Sequence, residues 1–333
     1  MQDMPALTWQ TFFGTWDFRL GWTTAALVLL VAYIGGVQAA RHRGQPGVPA
    51  YRIVSFVLGL ALMAYTVNSA VETYSHVLFW MHMIEHLLMI MVVPALLVVG
   101  HPLTVAVQAL PPDRGQRLRD LLVSWPVAVL THPAVGLIVY AAVLVGTHLT
   151  GFMEQMLTHM WVHDVENVLY LVAGLWFLLP VLGNEPIRWR PPLLLRMFVL
   201  FLAMAPDTVV GVVLLQTDHV LFPALAANHQ SWAPSVVHDI NKGGGIMWAG
   251  GDGLMMAFIV GCIVVYITHT ASNATSGTWL ESVRRNTMAG NISASGGDAH
   301  DFDSDRDLDD DEASLQAYND MLRRLNERGR YQG

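Results

Sequence analysis

Seven stretches of apolar residues constrain this chain more than anything else in it: Gly21 to Ala40, Ile53 to Ala70, Val77 to Val99, Ala134 to His148, Val165 to Leu182, Leu193 to Leu215, and Ile246 to His269. A helix needs about 20 apolar residues to cross roughly 30 Å of hydrocarbon, and most of these runs approach that length. They are continuously apolar rather than alternating, and lipid offers no water to an unpaired backbone group, so helices are expected and barrel strands are not. The fourth run is short, and its helix is expected to begin nearer Trp125. Composition agrees, since 53% of the 333 residues are hydrophobic and only 13% charged, too apolar for a soluble domain of this size. The expected fold class is therefore all-α, a polytopic membrane bundle of seven transmembrane helices over residues 21–270. An outer segment, 1–20, precedes it, and a cytoplasmic tail, 271–333, follows.

Basic residues near span ends favour the cytoplasm, and here they sort by loop. Arg41, Arg43 and Arg52 follow the first run, Arg114, Arg117 and Arg119 the third, Arg188 and Arg190 the fifth, Arg284 and Arg285 the seventh. Lys242 is the main exception. The expected orientation is N-terminus out and C-terminus in. The first twenty residues lack a basic n-region and a small-residue cleavage site, so the first run reads as a retained span. Much of the acid behind the net charge of -8 lies between Asp298 and Glu312. It follows a Ser-, Asn-, Gly- and Thr-rich stretch, Ala271 to Ala299, that reads as flexible. Leu308, Leu315, Tyr318, Met321, Leu322 and Leu325 then recur at helical spacing, an amphipathic helix suited to the membrane face or to a partner. A single cysteine, Cys262, excludes an intrachain disulfide and a paired-thiolate site. The expected partner is the lipid bilayer; no nucleic acid is expected, and the oligomeric state is open.

With that orientation, His76, His82, His86, His148, His159, His163, His219, His229 and His238 fall on the outer side. Met81-His82-Met83-Ile84-Glu85-His86 sets two imidazoles on one helix face, one turn apart, with Met89 continuing that face. If Trp80 marks the interface, His86 lies about 9 Å deeper. Ionisable groups at such depth face a polar cavity or a partner, so His82, Glu85 and His86 are functional candidates; the bland alternative is hydrogen bonding that fixes packing. His159 and His163 repeat the spacing, with Asp164, Glu166 and Asn167 following, and His148 ends the fourth run on the same side. Imidazole with thioether suits copper, whereas imidazole with carboxylate also suits zinc or iron, and no spacing here selects among them. Asp207 and Asp252 are further buried acids, read either as cavity lining beside Pro206 and glycines or as interhelical hydrogen bonds. The segment from Thr217 to Gly245 reads as a lid or a solvated cover.

These motifs resemble those of the CtaG-type cytochrome c oxidase assembly family of bacterial membrane proteins. The resemblance rests on Met81 to Leu88, on Pro94 to Pro102, on Thr147-His148-Leu149, on Val162-His163-Asp164-Val165-Glu166-Asn167, and on Asp239 through Met247-Trp248. It covers roughly Trp22 to Tyr266. It implies a non-enzymatic factor in the plasma membrane that helps make haem-copper oxidase and assists copper supply to it, with oxidase subunits as partners. By motif match, His82, His86, His148, His163 and Asp239 become candidate metal ligands, followed by Glu166 and Met247. Two departures bear on the site's geometry: Asn167 stands where the family usually has a second histidine, and Asn241 to Gly244 replace a Gln-containing stretch. An unrelated single-span copper chaperone that shares the family's name uses cysteines, and the lone Cys262 excludes it. Competing readings are a copper transporter, a redox protein with a b-type haem between imidazoles, and a scaffold whose polar groups only pack helices.

Overall fold

The computed structural model describes residues 4–273, together with Asn319 and Arg323. The acidic block and the amphipathic segment of the tail, and so the boundaries expected for it, lie outside the described residues, Asn319 and Arg323 apart. One isolated bridge, Trp16 to Ser69, is the sole extended pairing among the described residues, and the rest of the regular structure is helical.

A short helix, α1 (Trp9–Gly14), precedes the apolar helices α2 (Leu20–His42) and α3 (Ala50–Asn68), and α4 (Ala70–Ser75) adds one further turn and a half. α5 (Phe79–Leu87) runs through a π-turn at Leu88–Val92 into α6 (Val93–Val99). α7 (Pro102–Ala109) continues beyond His101, which takes a φ of 53°. After α8 (Pro112–Val123) and α9 (Trp125–Leu130), α10 (Pro133–His148) bends by 66° into α11 (Phe152–Thr158). α12 (Met160–Leu182), α13 (Leu193–Leu215), α14 (Pro223–Ala227) and α15 (Val236–Asn273) complete the described chain. Among the described residues, six helical stretches are long and apolar enough to cross a membrane, or seven if the bent pair α10 and α11 makes one span. The all-α polytopic bundle expected from the sequence is thus the fold observed.

The fourth span differs from expectation at its start. Trp125–Leu130 is a helix of its own, broken from α10 at Thr131 and His132. Pro133 lacks an N–H and pushes the residue before it out of helical geometry, and His132 is extended, with φ -66° and ψ 132°. Its Nδ1 accepts the Ala134 N–H, so His132 caps the new helix.

Burial identifies the central element. The stretch from Phe79 to Ala109 has 72% of its most apolar window buried, against 17% for α2 and 11% for α15, and α3 and α12 pack directly against α6 and the π-turn. Leu27 and Val31 on α2, Phe198 and Phe201 on α13, and Val260 on α15 stay exposed, as lipid-facing side chains must. α12 packs directly on the π-turn. A β-carbon at Gly174 would stand 2.0 Å from the Ile90 carbonyl oxygen and 2.7 Å from Pro94 Cγ, so only glycine permits this approach. That contact brings the first half of α12 alongside α5.

Candidate metal centre

Three helices deliver polar side chains to one buried column. On α5, His82 and His86 are one turn apart, their ring centroids separated by 4.0 Å, and both are almost fully buried. Glu166 on α12 reaches between them, with Oε2 3.7 Å from His82 Nε2 and Oε1 3.6 Å from His86 Nε2. One turn earlier on α12, His163 faces two more carboxylates, Nε2 lying 3.4 Å from Glu85 Oε2 and Nδ1 2.9 Å from Glu72 Oε1. Glu72 belongs to α4, and His76, just past its end, places Nε2 3.4 Å from the same oxygen. Three overlapping groups result: Glu72, His76 and His163; His82, Glu85 and His163; His82, His86 and Glu166. Within each, one donor atom per residue lies within 4.8 Å of the others.

The two ends of the column differ in how they are satisfied. Among the described residues, neither nitrogen of His82 or His86, and neither oxygen of Glu166, has a hydrogen-bond partner. Each such buried group costs about 1–3 kcal/mol if left unmade, and donors that converge without bonding one another are what a cation resolves. His148 adjoins them, its ring 5.1 Å from that of His86. Its Nδ1 lies 3.0 Å from the Leu144 carbonyl oxygen and within reach of Thr147 and Tyr170, which orients the ring and leaves Nε2 without a partner. Tyr170 in turn stacks on His86 at 3.9 Å.

The Glu72 end is closed by charge. Arg19, the residue before α2, forms a salt bridge to Glu72 Oε1 through one terminal nitrogen, and the other lies 2.6 Å from Asp164 Oδ1. Burial works to raise the Glu72 pKa. Its contacts with His163 and His76 outweigh that and hold the carboxyl well below the ordinary range. Asn167 ties the column together, since its Nδ2 donates to Glu85 Oε1 at 2.8 Å and to Glu72 Oε2 at 3.4 Å.

Of the residues singled out in the sequence, His82, His86 and Glu166 meet in one group, His163 joins the other two, and His148 stands beside them. Asp239 is placed otherwise. Its oxygens accept the backbone N–H groups of Phe79, at 2.7 Å, and Trp80, at 3.2 Å, so it caps the start of α5. Met247 is buried on α15. His159, His219, His229 and His238 are exposed. The Tyr140 hydroxyl donates to Asp207 at 2.6 Å and Thr208 to Asp252 at 3.0 Å, the interhelical bonds of the packing reading. Glu72 and His76 were missed as donors, although their i, i+4 spacing repeats that of His82 and His86.

Fold and site together define a polytopic helical membrane protein with a buried centre of imidazoles and carboxylates. The family model for the cytochrome c oxidase caa3 assembly factor matches residues 31–269, and the chain belongs to that family. It is similar to uncharacterized proteins of Mycobacterium bovis (Mb0105) and Mycobacterium tuberculosis (MT0111), each 29% identical over 318 residues, covering 93% of this chain and 44% of the relative. A Mycobacterium leprae protein (ML1998) is 28% identical over 246 residues, covering 72% of this chain and 37% of the relative. The chain thus spans less than half the length of the curated relatives it matches. No solved structure matches it.

Proposed function

We propose that the chain is an integral-membrane assembly factor that holds a copper(II) ion at His82, His86 and Glu166, with His148 as a further donor, on the ion's way to a cytochrome c oxidase. The observation that carries the reading is the convergence of buried, unpartnered nitrogen and oxygen atoms at this one place. The donor set favours a divalent ion over copper(I), because it offers imidazole and carboxylate and no thiolate. Among divalent first-row ions such donors bind copper(II) most tightly. Zinc, which also takes two histidines and a glutamate, is the competitor that availability would decide. Ring packing supports an ion over a haem: His82 lies 4.0 Å from His86 and 5.5 Å from His163 between centroids, without a slot between the rings for a macrocycle.

Deleting the gene is expected to lower haem-copper oxidase activity in membranes, and added copper is expected to restore part of it. A copy carrying His86→Ala should fail to complement at limiting copper. Normal oxidase activity in the deletion strain would refute the role.

A further inference from the structure

The donor groups overlap in a directed way. The group at Glu72 shares His163 with the middle group, and the middle group shares His82 with the centre at Glu166. An ion held first at Glu72 would therefore reach the centre by two exchanges of neighbouring ligands. The Glu72 group also has an unpartnered nitrogen at His76 Nε2, and the second nitrogen of the buried His163, Nε2, is likewise unpartnered and faces Glu85 of the middle group. What it has that the centre lacks is a resident cation. The Arg19 guanidinium sits on Glu72 Oε1, the oxygen that faces both His76 and His163.

Arg19 has somewhere else to go. Its second nitrogen already holds Asp164, whose side chain is 46% exposed and also accepts from Trp22 Nε1 at 3.2 Å. Around this pair opens a cavity of about 590 Å³, lined by Asp17, Arg19, Trp22, Met160 and Asp164 among others, with Met160 Sδ 3.7 Å from Arg19 Nη2. Two carboxylates and a thioether make its mouth attractive to a cation, and Arg19 stands between that mouth and Glu72.

We propose that Glu72, His76 and His163 form a second, loading site for a divalent cation, and that Arg19 holds it shut until an ion arriving through the Asp17–Asp164 cavity displaces the guanidinium onto Asp164. The inference rests on the reading of the centre as a metal site. Removing Arg19 without replacing its charge leaves the buried Glu72 with its imidazole and amide contacts but without its fixed countercharge, so a second cation becomes the group that balances it.

The test uses the purified full chain in detergent with copper(II) as the probe, reading ions per chain after desalting and the rate of uptake. Wild type is expected to retain one ion and Arg19→Gln two, with loading roughly tenfold faster or more. The double variant Arg19→Gln with Glu72→Gln should return to one. Arg19→Gln with wild-type stoichiometry and rate overturns the proposal. If that variant does not fold, Arg19→Lys decides, because it keeps a charge but cannot fork between two carboxylates: faster loading upholds the gate and the wild-type rate overturns it. Should wild type hold no ion, the centre fails as a metal site. The loading site is then judged by whether Arg19→Gln gains an ion that the double variant lacks.

Discussion

Glu166 carries the charge of the centre, and its two oxygens each face one imidazole of α5. Glu166→Gln keeps the volume and removes that charge, so copper(II) affinity is expected to fall roughly a hundredfold or more, measured by competition with a chelator of known affinity. An unchanged affinity would take Glu166 out of the ligand set. Asp239 makes the opposite prediction. As the cap of α5 its replacement by Ala should cost about 1–2 kcal/mol of stability while metal content holds. Loss of metal with stability intact would make it a ligand after all. Asn167 shows what a motif comparison alone does not convey. It departs from the family pattern, yet its amide bridges Glu85 and Glu72, a role that a position in a motif does not reveal. Asn167→Ala should destabilise the protein by about 1–3 kcal/mol in thermal unfolding, because two buried carboxylates lose a donor.

At the level of elements, the site depends on how closely α12 approaches the π-turn after His86. π-turns recur at functional sites, and this one begins two residues after His86. Gly174→Ala would force the Ile90 carbonyl and α12 apart, costing about 1–3 kcal/mol or more. It should also weaken metal binding, by moving His163 and Glu166 relative to His82. Gly146→Ala is the control, since a β-carbon on its helical backbone meets nothing within 4 Å; it should lower neither quantity. A Gly174→Ala protein indistinguishable from the control in melting and metal affinity would show that the close contact does not position the site. The helices themselves were readable because lipid demands long apolar runs. The break at His132 was not, because Trp125–Leu130 is as apolar as the helix it precedes and only Pro133 marks the end of one and the start of the other. Glu72 went unnoticed and His76 was placed on the outer side but not taken as a donor for a related reason: they lie on a single short turn between spans, where apolar periodicity says nothing and an i, i+4 pair is the one signal.

Across the described residues, packing brings α4, α5 and α12 together at the column, whereas the sense of the helices in the membrane rests on the basic loops. Single cysteines introduced at Asp218 and at Gln116 in a Cys262→Ser background test that sense. An impermeant thiol reagent applied to intact cells is expected to label the first and to reach the second only after permeabilisation; the reverse would invert the topology. Which side the Arg19 cavity opens to follows from the same experiment. The central claim is that buried imidazoles and a carboxylate from separate helices share one ion, and metal analysis of the purified protein tests it most directly. Copper-loaded wild type should retain one ion per chain after desalting, and the variant with His82→Ala and His86→Ala, folded by circular dichroism, should retain none. Equal copper in the two proteins would contradict the account.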